Sequence, residues 1–300
     1  METLWELQRL IDRYCTEGWN TSILPRVSLV RSETDTTMVP IVYNPVLCIV
    51  AQGSRSVVLQ DTSFTYGVGT HLLASVDLPV RAAILEGSSE HPFLSFGLLL
   101  DEAVIASLIL DMPKTQSLLT GEPSLGMAIH ETSEELLLAV VRLLRLLQRP
   151  EDIPILAPLA EREILYCLLK SSQGAMLRQL AHEDSRLKQI SSAIQWIRRN
   201  YDKPFRIETI AELANMSGAS LHRHFKTITS MSPLQFQKQI RLREARRLLI
   251  ENAGDAASVG FTVGYGSSTQ FSREYSRQFG TPPGRDGVRL RDSKLDSAAF

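Results

Sequence analysis

The sequence is poor in cysteine and contains no long apolar run. Its three cysteines, Cys15, Cys48 and Cys167, lie far apart, and no CxxC pair indicates a zinc site or a disulfide. Because this usage is typical of a reducing compartment, we expect a cytoplasmic protein. The sequence contains no stretch of about 18 uncharged apolar residues, and it therefore predicts no membrane span. The N-terminal segment METLWELQRLIDRYC has a helical pattern and lacks the basic start and apolar core of a signal peptide.

Charge is distributed unevenly along the 300 residues. Residues 190–300 contain 17 Lys/Arg and 10 Asp/Glu, a net charge of +7, whereas residues 1–189 carry −8. A basic C-terminal third is what a nucleic-acid-binding region requires, although many solvated surfaces are also basic. The length predicts two domains, at roughly 100–200 residues each.

Residues 23–100 have the pattern of β structure. Short apolar or alternating runs are separated by glycine and proline, and several such strands in succession indicate a barrel or a sandwich. The predicted strands are VLCIVAQ (46–52), SRSVVLQ (54–60), SFTY (63–66), THLLASV (70–76), VRAAILE (80–86) and FLSFGLLL (93–100).

After Asp101 the apolar spacing becomes helical. Residues 133–149 repeat apolar side chains at i, i+4, i+7, i+8 and i+11 and are apolar on other faces too, which favours a buried helix. This helix either lies in the domain core or forms part of a dimer seam. Residues 157–172 form a second such helix, and the polar segment 173–189 is predicted to be a connection.

The segment 207–229 reads as helix, tight turn and helix, with Ser217-Gly218 at the turn. Ile210, Ala211, Leu213 and Ala214 form the predicted inner face of the first helix, and Leu221 and Phe225 that of the second. The opposite face of the second helix is short, polar and basic, which suits a helix in a DNA major groove. It carries Ala219, His222, Arg223 and Lys226.

The segment 255–283 repeats this layout, with GYGS at the turn. Phe271, Tyr275 and Phe279 form its inner stripe. Its outward face carries Thr269, Gln270, Arg273 and Arg277. Between the two units, residues 233–252 form one long helix with Pro233 in its first turn. Two such units joined by a basic helix are a much stronger indication of DNA binding than one helical hairpin, which is common in plain cores.

Residues 190–290 resemble the DNA-binding domain of the AraC/XylS-type transcription regulators. The resemblance rests on SLHRHFK, SPLQFQKQIRLREARRLL, VGYGSSTQFSREYSRQFG and TPP, in order and at the family's spacing. The N-terminal segments NPVLCIVAQGSRSVVL, LLASVDLPV and HPFLSF are similar to the cupin-like regulatory domain of one branch of that family.

The resemblance implies a two-domain α+β chain. It implies a cupin-like β-barrel or sandwich with helices (1–132), a helical dimerisation and linker region (133–189), an all-α domain with two helix-turn-helix units joined by a long helix (190–291), and a disordered tail (292–300). Two recognition helices would enter successive major-groove turns, roughly 10 bp apart.

The family pattern also implies roles for single residues. It places Ala219, His222 and Arg223 of the first unit, and Thr269, Gln270 and Arg273 of the second, where bases are read. Arginine reads guanine, glutamine reads adenine, and alanine or threonine contacts a thymine methyl. Lys226, Lys238, Arg241 and Arg277 are the predicted contacts to the DNA backbone.

This chain departs from the family in three places. Ala219 occupies a position where some relatives carry a bulky residue, which predicts a weak contact there. Gly260 lies inside a predicted helix where relatives have alanine, at a cost of about 1 kcal/mol. The segment GRDGVRLRDS after Pro283 lacks the family's aromatic-arginine ending and gives weak support for a last short helix.

An enzyme site is the main alternative, because metal cupins bind an ion through a strand His-x-His, a third histidine and a carboxylate. The β region offers His71 and His91 unpaired, and Glu86 and Glu90 lie at no matching spacing, so we predict neither metal nor catalysis. The apparent His-x-His at His222 and His224 is in a helix, where positions i and i+2 are about 200° apart and cannot easily share an ion.

The sequence therefore predicts a transcription regulator without a cofactor that binds double-stranded DNA. A small, mostly apolar organic effector in the N-terminal domain, a homodimer and a contact with RNA polymerase are further expected partners. The alternatives are a cupin-type metalloenzyme fused to a DNA-binding module and a regulator governed by its abundance. Cys48 and Cys167 lie in apolar runs typical of inert cysteines, with sensing of an electrophile by Cys48 a minor alternative.

Overall fold

The computed structural model describes residues 2–112, 125–182, 185–251 and 254–292. The chain divides into two compact units, Met1–Gln189 and Ile190–Phe300. None of the described helices is long and apolar enough to cross a membrane.

The first unit is built on two antiparallel sheets. The strands are β1 (Gly18–Thr21), β2 (Val27–Ser32), β3 (Val39–Tyr43), β4 (Val46–Gln52), β5 (Ser54–Leu59), β6 (Thr62–Gly67), β7 (Thr70–Ala74), β8 (Leu78–Glu86), β9 (Phe93–Leu99) and β10 (Met127–Glu131). One sheet has the order β1-β2-β9-β4-β7-β10 and the other the order β3-β8-β5-β6. All six predicted strands are present. Within the described residues the two sheets form a sandwich and do not close into a barrel.

Helices cover the outer side of the six-stranded sheet. Helix α1 (Glu2–Tyr14) packs against β2, β4 and β9, and it buries Leu7, Leu10 and Ile11. Since α1 covers one side of β4 and the second sheet faces the other, this strand is apolar throughout instead of alternating.

Four more helices complete the first unit. They are α2 (Glu102–Asp111), α3 (Glu134–Arg145), α4 (Ile153–Lys170) and α5 (Gly174–Ala181). Helix α3 packs on both α1 and α4, and nearly all of its apolar side chains are buried. The segment 173–189 was predicted to be the connection, and this role stays a prediction. Part of the segment forms α5, where Leu177 and Leu180 are buried.

The second unit is entirely helical over its described residues. Its helices are α6 (Arg186–Arg199), α7 (Ile207–Leu213), α8 (Gly218–Thr229), α9 (Pro233–Ile250), α10 (Ala256–Thr262), α11 (Ser268–Phe279) and α12 (Pro283–Asp292). Helix α9 starts with a capping box formed by Ser232 and Gln235, and Pro233 occupies its first turn.

Helix α12 is well formed, against the weak support in its sequence. Asp286 is fully buried and accepts hydrogen bonds from Arg246 Nε at 3.0 Å and Tyr275 Oη at 2.9 Å. A buried carboxylate with a charged and a neutral donor is a strong anchor. Asp286 therefore replaces the missing aromatic residues as the group that holds this helix to α9 and α11. The predicted disorder of residues 293–300 concerns positions outside the described residues.

Gly260 lies where α10 crosses α11. A Cβ atom at this position would come within 2.8 Å of Cδ1 of the buried Phe271 ring. The cost of glycine in a helix is thus offset by a closer packing of two helices than alanine would allow.

Candidate nucleic-acid interface and effector cavity

The first helix-turn-helix consists of α7 and α8. The hydroxyl of Ser217 accepts a hydrogen bond from the backbone N–H of Ser220 and starts α8. Leu221 and Phe225 are fully buried, as predicted. Leu213, predicted to face inward, is 50% exposed because it lies at the edge of the buried face set by Ile210, Ala211 and Ala214.

The outward face of α8 has the predicted composition. Ala219, His222, Arg223 and Lys226 are all exposed. His222 and His224 separate around the helix: His222 is exposed, whereas His224 is half-buried and lies 3.4 Å from the Arg223 guanidinium. The two imidazoles therefore do not form a chelating pair.

The second helix-turn-helix consists of α10 and α11. The hydroxyl of Ser267 caps α11, and Phe271 and Tyr275 are fully buried beneath it. The predicted outward side chains Thr269, Gln270, Arg273 and Arg277 are all exposed. The two helix-turn-helix motifs thus present two polar, basic faces built in the same way.

Glu274 organises the second face, and sequence analysis missed it. Its carboxylate accepts hydrogen bonds from Lys238 at 2.9 Å, Tyr265 at 2.9 Å and Gln270 at 3.2 Å. Burial raises the pKa of Glu274, but these three donors outweigh burial and the net pKa is lowered. Its position at i+4 from Gln270 is the signal that could have found it.

Lys238 and Arg241, both predicted to contact the DNA backbone, form bonds inside the protein. Lys238 pairs with Glu274. The Arg241 guanidinium donates to the carbonyls of Tyr201, Lys203 and Gly264. Gly264 has a φ of +92°, and a Cβ there would lie 2.2 Å from the Asp202 carbonyl oxygen. Arg241 thus fixes α9 to the turn between α10 and α11, and its contact with a DNA phosphate stays a prediction.

A cavity of about 190 Å³ lies between the two sheets of the first unit. Val30, Val42, Val46, Phe96 and Leu99 provide most of its apolar lining. The lining also includes Trp19, Ser28, Ser95, Cys48, Arg26 and Arg55. Gly97 belongs to it as well, and a Cβ atom there would approach the Ser28 hydroxyl to 2.7 Å. The effector residues that the sequence left unassigned have a candidate location in this cavity.

Cys48 lines the cavity but is poorly suited to react. Burial raises the pKa of its thiol to about 11, although the Arg55 charge and a hydrogen bond with Tyr66 act in the opposite direction. A thiol with this pKa is almost entirely protonated near neutral pH, and the thiolate is the reactive form. Electrophile sensing by Cys48 stays a prediction that this environment disfavours.

His71 has a partner that sequence analysis overlooked. His130 lies opposite it in the pairing of β7 with β10, and the two ring centroids are 6.2 Å apart. His71 Nδ1 lies 3.0 Å from Thr132 Oγ1, and Nε2 lies 3.0 Å from Gln173 Oε1. Since both nitrogens have protein partners, the pair is a structural contact. Among the described residues no three metal-binding side chains cluster.

Comparison with known families assigns the chain. The model of the AraC-type transcriptional regulator N-terminus matches residues 23–176, just over half of the chain. The chain belongs to the AraC-type transcriptional regulators. A helix-turn-helix domain model matches residues 210–286, the segment that contains both helical units. The resemblance inferred from the sequence is thereby confirmed.

Curated relatives of this AraC-type chain include activators named RhaS. The HTH-type transcriptional activator RhaS of Citrobacter koseri is 30% identical over 138 residues, covering 45% of this chain and 48% of the relative. That of Salmonella schwarzengrund is 26% identical over 163 residues, covering 52% and 58%. The chain thus spans about half the length of the curated relatives it matches.

Solved structures of ToxT from Vibrio cholerae have the same fold. One, bound to an unsaturated fatty acid, covers 93% of this chain and 99% of ToxT, with a TM-score of 0.57 and 12% identity. A second, bound to (E)-4-(8-methylnaphthalen-1-yl)but-3-enoic acid, covers 91% and 100%, with a TM-score of 0.56 and 12% identity. The predicted fold class, a β-rich N-terminal domain followed by an all-α region, is confirmed.

Proposed function

We propose that this AraC-type chain regulates transcription by binding specific double-stranded DNA through its two helix-turn-helix units. The observation that carries the proposal is the exposed polar face on each of α8 and α11, each opposite a buried, mostly apolar face. Ala219, His222 and Arg223 would read bases in one major-groove turn, and Thr269, Gln270 and Arg273 in the next. Lys226 and Arg277 would contact phosphates.

The test is selection of binding sites from random DNA with the full chain, followed by titration of the selected site at several salt concentrations. We expect an enriched sequence with two short elements roughly 10 bp apart. Affinity should fall steeply between about 50 and 200 mM salt, because lysine and arginine displace counterions from the phosphates. A flat salt titration together with no enriched sequence would refute DNA binding.

The cavity between the sheets is the proposed site of a small organic effector. Two observations support this: the cavity itself, and the organic acids in the similarly folded ToxT structures. An effector that binds one conformational state better than another shifts the equilibrium toward that state and so changes DNA affinity. The measurement is DNA affinity with and without candidate ligands, and a chain that no ligand affects would favour control by abundance.

Helix α4 supports the proposal of a homodimer. It buries one side against α3 and leaves Ile155 70%, Leu159 60% and Tyr166 40% exposed, with the charged Arg162 and Glu163 between Leu159 and Tyr166. Exposed apolar side chains of this kind are typical of an interface. Leu159→Lys should convert a dimer to a monomer in sedimentation experiments. Val68→Lys, at a position 48% exposed in the turn between β6 and β7, is the matched control and should not.

Three further expectations accompany the proposed regulator. The named relatives are transcriptional activators, which favours a regulator over the cupin-type metalloenzyme fused to a DNA-binding module. Metal analysis of the purified protein tests that alternative, since stoichiometric iron, zinc, manganese or nickel would support it. Contact with RNA polymerase and a cytoplasmic location stay predictions.

A further inference from the structure

Arg55 lies in an unusual electrostatic environment. It sits on β5, opposite Tyr66 in the pairing with β6, and its guanidinium lies 5.9 Å from the centroid of the Tyr43 ring. The side chain is half-buried, and its Nε atom is fully buried without a hydrogen-bond partner. Arg55 keeps some accessible surface, and its side chain lines the cavity.

No negative charge near Arg55 balances it. Among the residues that the structure describes, no aspartate or glutamate forms an ion pair with this guanidinium, and its largest electrostatic interactions are with Tyr43, Tyr66 and Cys48. Buried positive charges in proteins are normally paired, because leaving water without a counter-charge is strongly unfavourable. The missing counter-charge is therefore a property of the cavity that needs an explanation.

The three titratable neighbours of Arg55 do not supply it. Burial raises the pKa of Tyr43 and of the Cys48 thiol, the latter to about 11, and it raises the pKa of Tyr66 well above the ordinary value. All three groups are neutral near pH 7. The Tyr43 and Tyr66 hydroxyls lie 3.3 Å apart and form one buried hydrogen-bonded pair beside the arginine. Tyr66 also forms hydrogen bonds with Arg55 and with the Cys48 thiol.

The other arginine of the cavity is already neutralised. Arg26 lies 3.3 Å from Asp101 and forms a bidentate pair with the buried Glu161. The cavity therefore contains a single uncompensated positive charge. This matches a ligand with one negative charge better than a phosphate ester with two.

The rest of the lining limits the ligand to a small apolar body. Valine side chains from both sheets, with Phe96 and Leu99, line it beside a few small polar groups. The volume of about 190 Å³ is somewhat larger than an apolar cavity of ~150 Å³ that holds benzene. Roughly six to eight carbon atoms would fill it.

We infer that the cavity binds a small organic monocarboxylate, with its carboxylate paired to Arg55 and its apolar body against the valines of the two sheets. This inference rests on the proposed effector site and specifies its ligand class. A guanidinium offers two parallel N–H donors to a carboxylate. Binding supplies the counter-charge that the protein itself lacks, so the acid binds while its neutral analogue does not.

The test compares charged and neutral ligands of nearly equal shape on the full chain. The probes are benzoate, phenylacetate and hexanoate against benzamide, phenylacetamide and hexanamide, in a buffer free of carboxylates. Isothermal titration calorimetry should show binding of at least one acid and at least about tenfold weaker binding of its amide, as loss of a charge-assisted pair implies. Failure of all three acids to bind would overturn the inference, as would equal binding of an acid and its amide.

Variants locate the site. Arg55→Gln should weaken acid binding at least about tenfold, Arg55→Lys less, and the control Arg81→Gln, at an exposed arginine on β8, should leave it unchanged. Acids should raise the unfolding temperature of the parent chain but not that of Arg55→Gln. If Arg55→Gln does not fold, the acid–amide comparison and Arg55→Lys still decide the question. Acid binding that is unaffected in a folded Arg55→Gln variant would refute the assignment.

DNA binding by the same preparation separates the two proposals. If the chain binds DNA and only a neutral ligand changes its DNA affinity, the carboxylate class is wrong and the regulator stands. If an acid binds through Arg55 while the chain binds no DNA, the carboxylate site stands and the regulator is wrong.

Discussion

The Tyr275 hydroxyl donates a 2.9 Å hydrogen bond to the carboxylate of Asp286, and both groups are buried. The same carboxylate oxygen accepts a bond from Arg246, a buried arginine of α9 whose guanidinium lies 4.9 Å from the Phe279 ring centroid. One carboxylate therefore joins three helices of the second unit. Substitutions here test how α12 is held.

Asp286→Ala should destabilise the second unit by about 3–5 kcal/mol, because it leaves Arg246 buried without its charged partner. Urea denaturation followed by far-ultraviolet circular dichroism measures this loss. The matched control is Arg289→Ala, which removes an arginine that is 61% exposed from the same carboxylate. An exposed pair of this kind contributes at most about 1 kcal/mol. Equal losses in the two variants would contradict the anchoring role of Arg246 and Asp286.

Gly260→Ala tests two opposing effects. Helix propensity alone predicts a gain of about 1 kcal/mol. The new Cβ would lie 2.8 Å from the Phe271 ring, however, and overpacking of a buried contact costs about 1–3 kcal/mol. We therefore expect net destabilisation in denaturation experiments. Gly218→Ala is the control, since its new Cβ would meet only Ile207 Cγ1 at 4.0 Å, and it should not destabilise. A more stable Gly260→Ala would show that α10 and α11 can separate freely.

Arg223→Ala and Arg273→Ala should each weaken binding to the selected DNA site by about 1–3 kcal/mol and relax the base preference at one position. Lys226→Ala should instead weaken all sequences similarly and reduce the salt dependence. Fluorescence anisotropy with single-base variants of the site provides both readouts. Arg247→Ala removes the same charge from an exposed arginine paired with Glu244 and Glu251, and it should preserve base preference. Unchanged preference in Arg223→Ala and Arg273→Ala would remove them from the reading surface.

Stability of the first unit should fall in mild acid. Burial lowers the pKa of His71, although a hydrogen bond with Gln173 acts in the opposite direction. Burial also lowers the pKa of His130. A histidine whose folded pKa lies below its unfolded pKa takes up a proton on unfolding. The free energy of unfolding is therefore highest above the unfolded pKa of about 6.5 and decreases as the pH falls from there toward the folded pKa. Urea midpoints at pH 7.5 and 5.5 measure the effect. His71→Gln should show a smaller difference between the two pH values than the parent chain.

Local patterns predicted most of the fold. Strands such as β4 and β9 and the two helix-turn-helix units follow from apolar periodicity and turn residues, which act over a few positions. Helix α12 was poorly supported because its anchor, Asp286, bonds to residues of α9 and α11. The pairing of His71 with His130 was invisible for the same reason, since strand register joins positions far apart in the chain.

The candidate sites divide in the same way. The exposed faces of α8 and α11 repeat every three or four residues and were read directly from the sequence. Arg55 was not identified, because an arginine within a strand normally faces solvent, and only the packing of the two sheets shows that this one lines the cavity between them. The expectation of a mostly apolar ligand followed from the apolar strands of the β region and did not include a negative charge on the ligand.

Glu274 has an energetic consequence for how α11 would bind DNA. Lys238 and Gln270 donate to the same oxygen of its carboxylate, so moving either one to DNA changes the hold on the other. A phosphate that attracts Lys238 and a base that attracts Gln270 are then linked choices. Their substitutions should not be additive, and a double-mutant cycle would give the size of the coupling. Sequence preference at this half of the site would thus depend on how firmly the DNA backbone is held.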